Sequence, residues 1–320
     1  MGCRVTVCFG LQGSGQLTDG VPDPGRFRAI AELAEELRFD SLWAGEHLSF
    51  HNPILDVGVA LSAFAAWTSR IRLGAGVVLL PLRHPSLVAK QMASIDYLSA
   101  GRVILGVGIG GEGAKDFEAA GVPIAERGAR ADEGIAALRA IFGPSPASFH
   151  GTYYAFDEIV VAPRAVQPGG PPILVAGIRP GALRRAGRLG DGWLPYMISA
   201  RRYAESLTIV RAHAREAGRD PDALSGAVVL FALVRDDGRA AREEARVHLS
   251  TRYGMQFEPH QIEKLCVVGS PEECVAKVEA YVEAGVRHLS FNPCTAGDDF
   301  LDQCRALSEL VVEPARRVIT

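Results

Sequence analysis

Short runs of apolar, β-branched residues alternate with stretches of helical spacing along the whole chain. Eight such runs predict strands at Val5–Leu11, Ser41–Gly45, Ile71–Leu79, Val103–Val107, Ile173–Ala176, Asp191–Leu194, Ala227–Val234 and Arg287–Phe291. Between them the apolar positions return every three or four residues, as Ile30, Leu33, Ala34 and Leu37 do in a helix expected from Asp23 to Leu37. Gly285 closes a later helix just before the eighth strand, where a left-handed terminator belongs. Strands alternating with helices predict a parallel sheet fed by crossover connections. Eight units with strands this short and apolar, covered on both faces, predict an α/β fold of one closed (β/α)8 TIM barrel over residues 1–320, not an open doubly wound sheet.

Two segments exceed a minimal barrel. The first, 144–172, follows the helix of strand four; its His150 to Tyr154 and Ile159 to Val161 suggest a hairpin before a Pro/Gly-rich stretch. The second, 236–264, follows strand seven and opens with a charged helical piece from Arg239 to Leu249. Insertions of this length in compact domains are commonly functional.

Composition narrows the function classes. A formal net charge of -3 offers no basic field for nucleic acid or anionic lipid. No apolar stretch reaches the roughly 18 residues of a spanning helix, and the amino-terminal residues read as a first strand, not a signal peptide. The six cysteines form no C-x-x-C pair and read as cytosolic thiols, so the expected location is the cytoplasm. A metal-dependent hydrolase barrel would carry H-x-H on its first strand, and Val5 to Leu11 has no histidine.

Catalytic groups of a barrel collect at the carboxyl ends of strands, which is where Glu46 and His47 fall after strand two. A histidine there serves equally as a proton carrier or as a cap on a backbone carbonyl. Gly74-Ala75-Gly76-Val77 lies inside an apolar strand, where glycine marks a bulge, a close backbone approach or tight strand packing. Gly106-Val107-Gly108-Ile109-Gly110-Gly111 fits G-x-G-x-x-G, with Asp132 at the distance of a ribose-binding acid. The motif stands in the fourth unit, however, and Asp132 falls in a helical stretch from Arg130 to Phe142, so it is read as a decoy. After strand five, Gly177-Ile178-Arg179-Pro180-Gly181 is a glycine-containing turn opening a helix, with backbone N–H groups and Arg179 available to an anion. Trp193 and Tyr196, after strand six, fit either a substrate wall or core packing.

Three stretches taken together resemble the luciferase-like monooxygenase superfamily of FMN- or F420-dependent oxidoreductases. They are Phe39 to His47; Ile71 to Pro81 with Arg83-His84-Pro85 and Ser99-Ala100-Gly101-Arg102; and Val103 to Gly108 with Ile173 to Gly177 and Gly190-Asp191-Gly192-Trp193. The resemblance implies a flavin-type ring lying across the strand ends and a phosphate held after strand five. It implies a non-proline cis peptide at Gly76–Val77 behind the ring, with Gly76, Val77, Gly108, Ala176, Gly177, Ile178, Arg179 and Gly181 as cofactor-binding residues. His47, Glu46 and the loop carboxylate Glu112 are the implied catalytic residues; placing Glu112 in that role is a choice of alignment. The expected chemistry is hydride transfer between F420 and a small organic substrate, towards which Gly111-Glu112 tips the choice of cofactor. The alternatives are an FMN-dependent monooxygenase and, in another class, a non-catalytic flavin- or deazaflavin-binding barrel. A homodimer through helices near strands two and three is expected, with no nucleic-acid or membrane partner.

Overall fold

A computed structural model of the chain describes residues 6–13, 23–50, 52–111, 113–295 and 299–319. Eight parallel strands close on themselves: β1 (Cys8–Gln12), β2 (Ser41–Ala44), β3 (Arg72–Leu79), β4 (Val103–Gly108), β7 (Ile173–Ala176), β8 (Gly192–Leu194), β9 (Ser225–Val234) and β11 (His288–Pro293). Closure runs through the β11–β1 pair, Phe9 beside Leu289, and the β8–β9 pair, Gly192 beside Ser225. The α/β-barrel expected from the alternation is therefore the fold observed. Val5, where the first predicted strand begins, lies outside the described residues.

The connecting helices include α1 (Pro24–Glu36), α2 (Val57–Trp67), α3 (Pro85–Leu98), α4 (Ala114–Ala120), α5 (Arg127–Phe142), α6 (Pro180–Leu189) and α7 (Ala200–Glu216). Their starts follow local chemistry. Asp23 accepts from the Arg26 N–H ahead of Pro24, and Asp56 accepts from the Val59 N–H, each satisfying a donor that the first turn leaves orphaned. The buried faces of these helices form one apolar shell around the outside of the barrel.

Inside the barrel a smaller cluster of Trp43, Ile104, Leu174, Leu194 and Ala227 fills the axis, with Val77 and Val229 packed against it. The indole of Trp43 sets the glycines around it. A Cβ on Gly74 would sit 2.1 Å from its ring, and one on Gly10 would sit 2.7 Å from its Nε1. A Trp on one barrel strand is thus accommodated by glycine on both neighbouring strands. Its N–H donates to Ser41 Oγ at 2.6 Å, and Ser41 Oγ in turn lies 2.6 Å from Nε2 of buried His288.

Residues 144–172 hold an antiparallel pair, β5 (Ala147–His150) and β6 (Ala155–Ile159). Glu133 of α5 accepts from the backbone N–H groups of Thr152, Tyr153 and Tyr154 and fastens the turn between them. After β9 the chain forms α8 (Gly238–Tyr253), α9 (Pro259–Leu265) and β10 (Val267–Gly269), which extends the sheet beside β9 outside the closed barrel. A second core around Phe231, Leu249, Phe257 and Ile262 seats this unit above the strand ends. Helices α10 (Pro271–Glu283), α11 (Asp299–Leu307) and α12 (Glu313–Ile319) complete the chain. Among the described residues no helix is long and apolar enough to cross a membrane.

Candidate active site at the carboxyl ends of the strands

His47 follows β2 and its ring is held on two sides. Nδ1 lies 2.9 Å from Asp116 Oδ2, and the ring stacks on Phe50 with centroids 4.3 Å apart and planes 10° from parallel. Asp116 stands in the first turn of α4 and is 1% exposed. Its other oxygen accepts from the backbone N–H groups of Leu48 and Ser49, both at 2.7 Å. One carboxylate therefore ties the loop after β4 to the loop after β2 and grips the imidazole between them. A carboxylate only accepts, so the hydrogen of this contact is on Nδ1.

Glu46 is also buried, and its carboxylate is committed to the scaffold. Oε1 accepts from the Leu79 N–H at 2.8 Å and from Arg83 Nε at 3.2 Å, and Arg83 Nη2 lies 2.5 Å from both Glu46 Oε2 and Asp56 Oδ2. Burial raises the Glu46 carboxyl above its ordinary range, against the pull of the Arg83 guanidinium. The third carboxylate expected here, Glu112, lies outside the described residues.

The Gly76–Val77 peptide is cis, and the pairing of β3 with β4 shifts register between Ala75 and Val78. Val77 leans across the neighbouring strand: a Cβ on Gly106 would meet it at 3.2 Å and one on Gly108 at 2.6 Å. Those two glycines stand inside β4, and the nearest helix, α4, begins at Ala114, well past the last glycine of the G-x-G-x-x-G stretch. Asp132 is in α5 and pairs with the buried Arg185 at 2.5 Å. The neighbourhood of Gly76 includes Gln12, at the end of β1, whose amide donates to Ser290 Oγ at 3.0 Å.

After β7, Gly177 adopts a left-handed φ of 109°, and a Cβ there would come within 2.8 Å of Ala182. Arg179 is exposed at the start of α6, whose first turn has no side-chain cap; no neighbouring atom lies within 4 Å of where a Cβ on Gly181 would be. Ala176 and Ile178 flank this turn, both half-buried. Trp193 points the other way: it is fully buried, stacks on Tyr203 at 4.8 Å and donates to the Gly177 carbonyl at 2.8 Å. Tyr196 packs against the upper core over the strand ends.

Sequence reasoning named His47, Glu46 and the glycine turns but passed over Asp116, Phe50 and Arg83. Asp116 is 69 positions from His47, in a short helix with no periodic signal of its own, so only the folded chain brings the two together. Arg83 was visible as part of Arg83-His84-Pro85, with nothing to indicate its partners.

Comparison with known proteins places the chain as a whole. Residues 4–288 match the family model described as luciferase-like monooxygenase. An F420-dependent glucose-6-phosphate dehydrogenase of Kineococcus radiotolerans is 31% identical over 302 residues, covering 84% of this chain and 87% of its own. An F420-dependent hydroxymycolic acid dehydrogenase of Mycobacterium tuberculosis is 32% identical over 268 residues, covering 82% of this chain and 73% of its own. The crystal structure of a monooxygenase from Streptomyces bottropensis superposes with a TM-score of 0.83 at 26% identity, covering 96% of this chain and 99% of that one.

Proposed function

Because the chain belongs to the luciferase-like monooxygenase family, we propose that it is an oxidoreductase moving hydride between F420 and a small organic substrate, with His47 as the proton carrier. The observation that carries this reading is the His47–Asp116 pair at the carboxyl end of β2, the position where a barrel puts its chemistry. Two relatives above 30% identity, both named F420-dependent dehydrogenases, support the choice of cofactor and of reaction.

The residues fit such a group. The turn from Gly177 to Gly181 leaves open space over an uncapped helix start with Arg179 beside it, suited to a phosphate. Gly76 and Gly108 let the ends of β3 and β4 close tightly around Trp43 and Val77, and it is against Val77 that one face of a planar ring would rest. When bound, the deazaflavin supplies the carbon that takes or gives hydride, and it is essentially restricted to that chemistry. The protein's own part is protonic. With hydrogen on Nδ1, His47 accepts at Nε2 the proton of a substrate hydroxyl whose carbon gives up hydride, and returns it in the reverse direction. Glu46 acts through its hold on Leu79 and Arg83, keeping the ends of β2 and β3 in register.

The same reading takes the chain as a cytoplasmic homodimer. α2 carries no charged residue, and Val59 on α2 with Leu87, Tyr97 and Leu98 on α3 are exposed apolar side chains on one side of the barrel. Titration of the purified protein with F420, FMN and reduced FMN, followed by fluorescence, tests the central claim. Micromolar F420 binding, weakened about tenfold in Arg179→Ala by loss of one charge-assisted contact, is the expected result. Micromolar FMN binding with none of F420 overturns it in favour of a monooxygenase, the activity named for the Streptomyces structure.

A further inference from the structure

We propose that Asp116 is the positioning residue of His47 and that it sets which ring nitrogen carries the hydrogen, a role that rests on the proton-carrier reading above. The argument is one of counting donors and acceptors. Asp116 has two oxygens and three contacts to make with them: Oδ1 takes the Leu48 and Ser49 N–H groups, and Oδ2 takes Nδ1 of His47. At 1% exposure, water cannot stand in for any of these contacts. The two backbone donors are fixed by the chain, so the carboxylate must point one oxygen at them and has the other left for the ring. The imidazole, pinned flat on Phe50, has no other orientation that keeps the pair. The hydrogen therefore stays on Nδ1, and Nε2 is the nitrogen that exchanges a proton with substrate.

Asparagine separates this role from a merely structural one. Its side chain has one oxygen and one NH₂ in the same shape. Two backbone N–H groups demand the oxygen, because an NH₂ facing them would leave buried donors against donors. The NH₂ then faces Nδ1, which must become an acceptor, and the ring hydrogen moves to Nε2. Asp116→Asn should keep the link between the two loops, and with it the fold, while inverting the tautomer of the catalytic ring.

Two-bond ¹⁵N–¹H correlation spectra of the cofactor-free protein above pH 7.5 read this directly; the His47 signals are identified by their loss in His47→Gln among the eight histidines of the chain. The expected result is hydrogen on Nδ1 in the wild type and on Nε2 in Asp116→Asn, with an unchanged circular dichroism spectrum and F420 affinity within about twofold. Turnover of F420 with the best substrate from a screen of small alcohols and sugar phosphates should fall by about a hundredfold or more, the scale of a catalytic histidine held in the wrong tautomer. A wild-type spectrum with hydrogen on Nε2 overturns the proposal without recourse to any variant, and so does Asp116→Asn with hydrogen still on Nδ1. An inverted tautomer with undiminished turnover would leave Asp116 in control of the ring and overturn the proton-carrier reading instead.

Discussion

At the amino face of the barrel, Glu35 and Asp96 gather backbone N–H groups; at the carboxyl face, Asp116 gathers two with one oxygen and holds His47 with the other, and Glu46 takes one while Arg83 spans both of its oxygens. Glu35, near the end of α1, accepts from the N–H groups of Ser69, Arg70 and Ile71 and from the Ser69 hydroxyl. Asp96 accepts from the N–H groups of Val103, Val166 and Gln167 and from the Gln167 side-chain amide. Asp116 and Glu46 instead hold His47 and Arg83. A carboxylate that gathers backbone N–H groups is thus a general means of closing loops onto a barrel, and what distinguishes the functional face is the side chain held beside them.

The contrast breaks first on stability. Asp96→Ala leaves three backbone donors without an acceptor around a fully buried position, at about 1 to 3 kcal/mol each if water does not enter. A loss of about 4 kcal/mol is expected, lowering the thermal midpoint by roughly 10 °C. Turnover per folded molecule at 25 °C should stay within about twofold. A comparable loss of turnover in the folded protein would mean that the amino face is coupled to the chemistry. The next effect is its converse: His47→Ala should cut turnover about a hundredfold, close to 2.7 kcal/mol, with F420 affinity kept and a fall in thermal midpoint smaller than that of Asp96→Ala, since one buried contact is lost in place of several. Normal turnover would return His47 to the role of a loop fastener like Asp96.

The two faces were also unequally legible in the sequence. The eight strands could be read because each is an apolar run bounded by turns, and burial on both faces leaves little else such a run can be. β10 escaped notice because Val267–Gly269 is three residues long and pairs only with the overhang of β9. The glycines of Gly74-Ala75-Gly76-Val77 leave a bulge, a close backbone approach or tight strand packing open; at Gly74 the folded chain shows packing, against the side chain of Trp43, 31 positions earlier. His47 stood out by its place after a strand, and the cis peptide at Gly76–Val77 by resemblance alone. Asp116 had neither signal, since a lone Asp in a seven-residue helix looks like any first-turn acid. The residues that hold a catalytic group are set by tertiary contact, while those that sit at strand ends are set by the period of the chain.

The smallest expected effect sharpens the comparison most, because Glu35 at the amino face and Glu46 at the carboxyl face respond to pH with opposite sign. Burial opposes ionisation of Glu35, but the N–H groups of Ile71, Arg70 and Ser69 and the Ser69 hydroxyl outweigh it and bring the carboxyl down from 4.5 to about 2. A folded value below the unfolded one contributes stability that is fully present above the unfolded value and is lost as pH falls towards 2. Glu46 is the reverse case, its carboxyl raised chiefly by burial despite Arg83. Ionising it therefore costs stability, and that cost enters as pH rises from the unfolded value through the folded one. Thermal midpoints of wild type, Glu35→Gln and Glu46→Gln from pH 3 to pH 7 check both signs. The advantage of wild type over Glu35→Gln should shrink as the solution is acidified, by about 1 kcal/mol once solvent screening of this partly exposed group is allowed for. Over the same range the difference between wild type and Glu46→Gln should move in wild type's favour. Parallel curves for the two variants would mean that both carboxylates see the same surroundings, and the division between a stabilising amino face and a functional carboxyl face would lose its electrostatic basis.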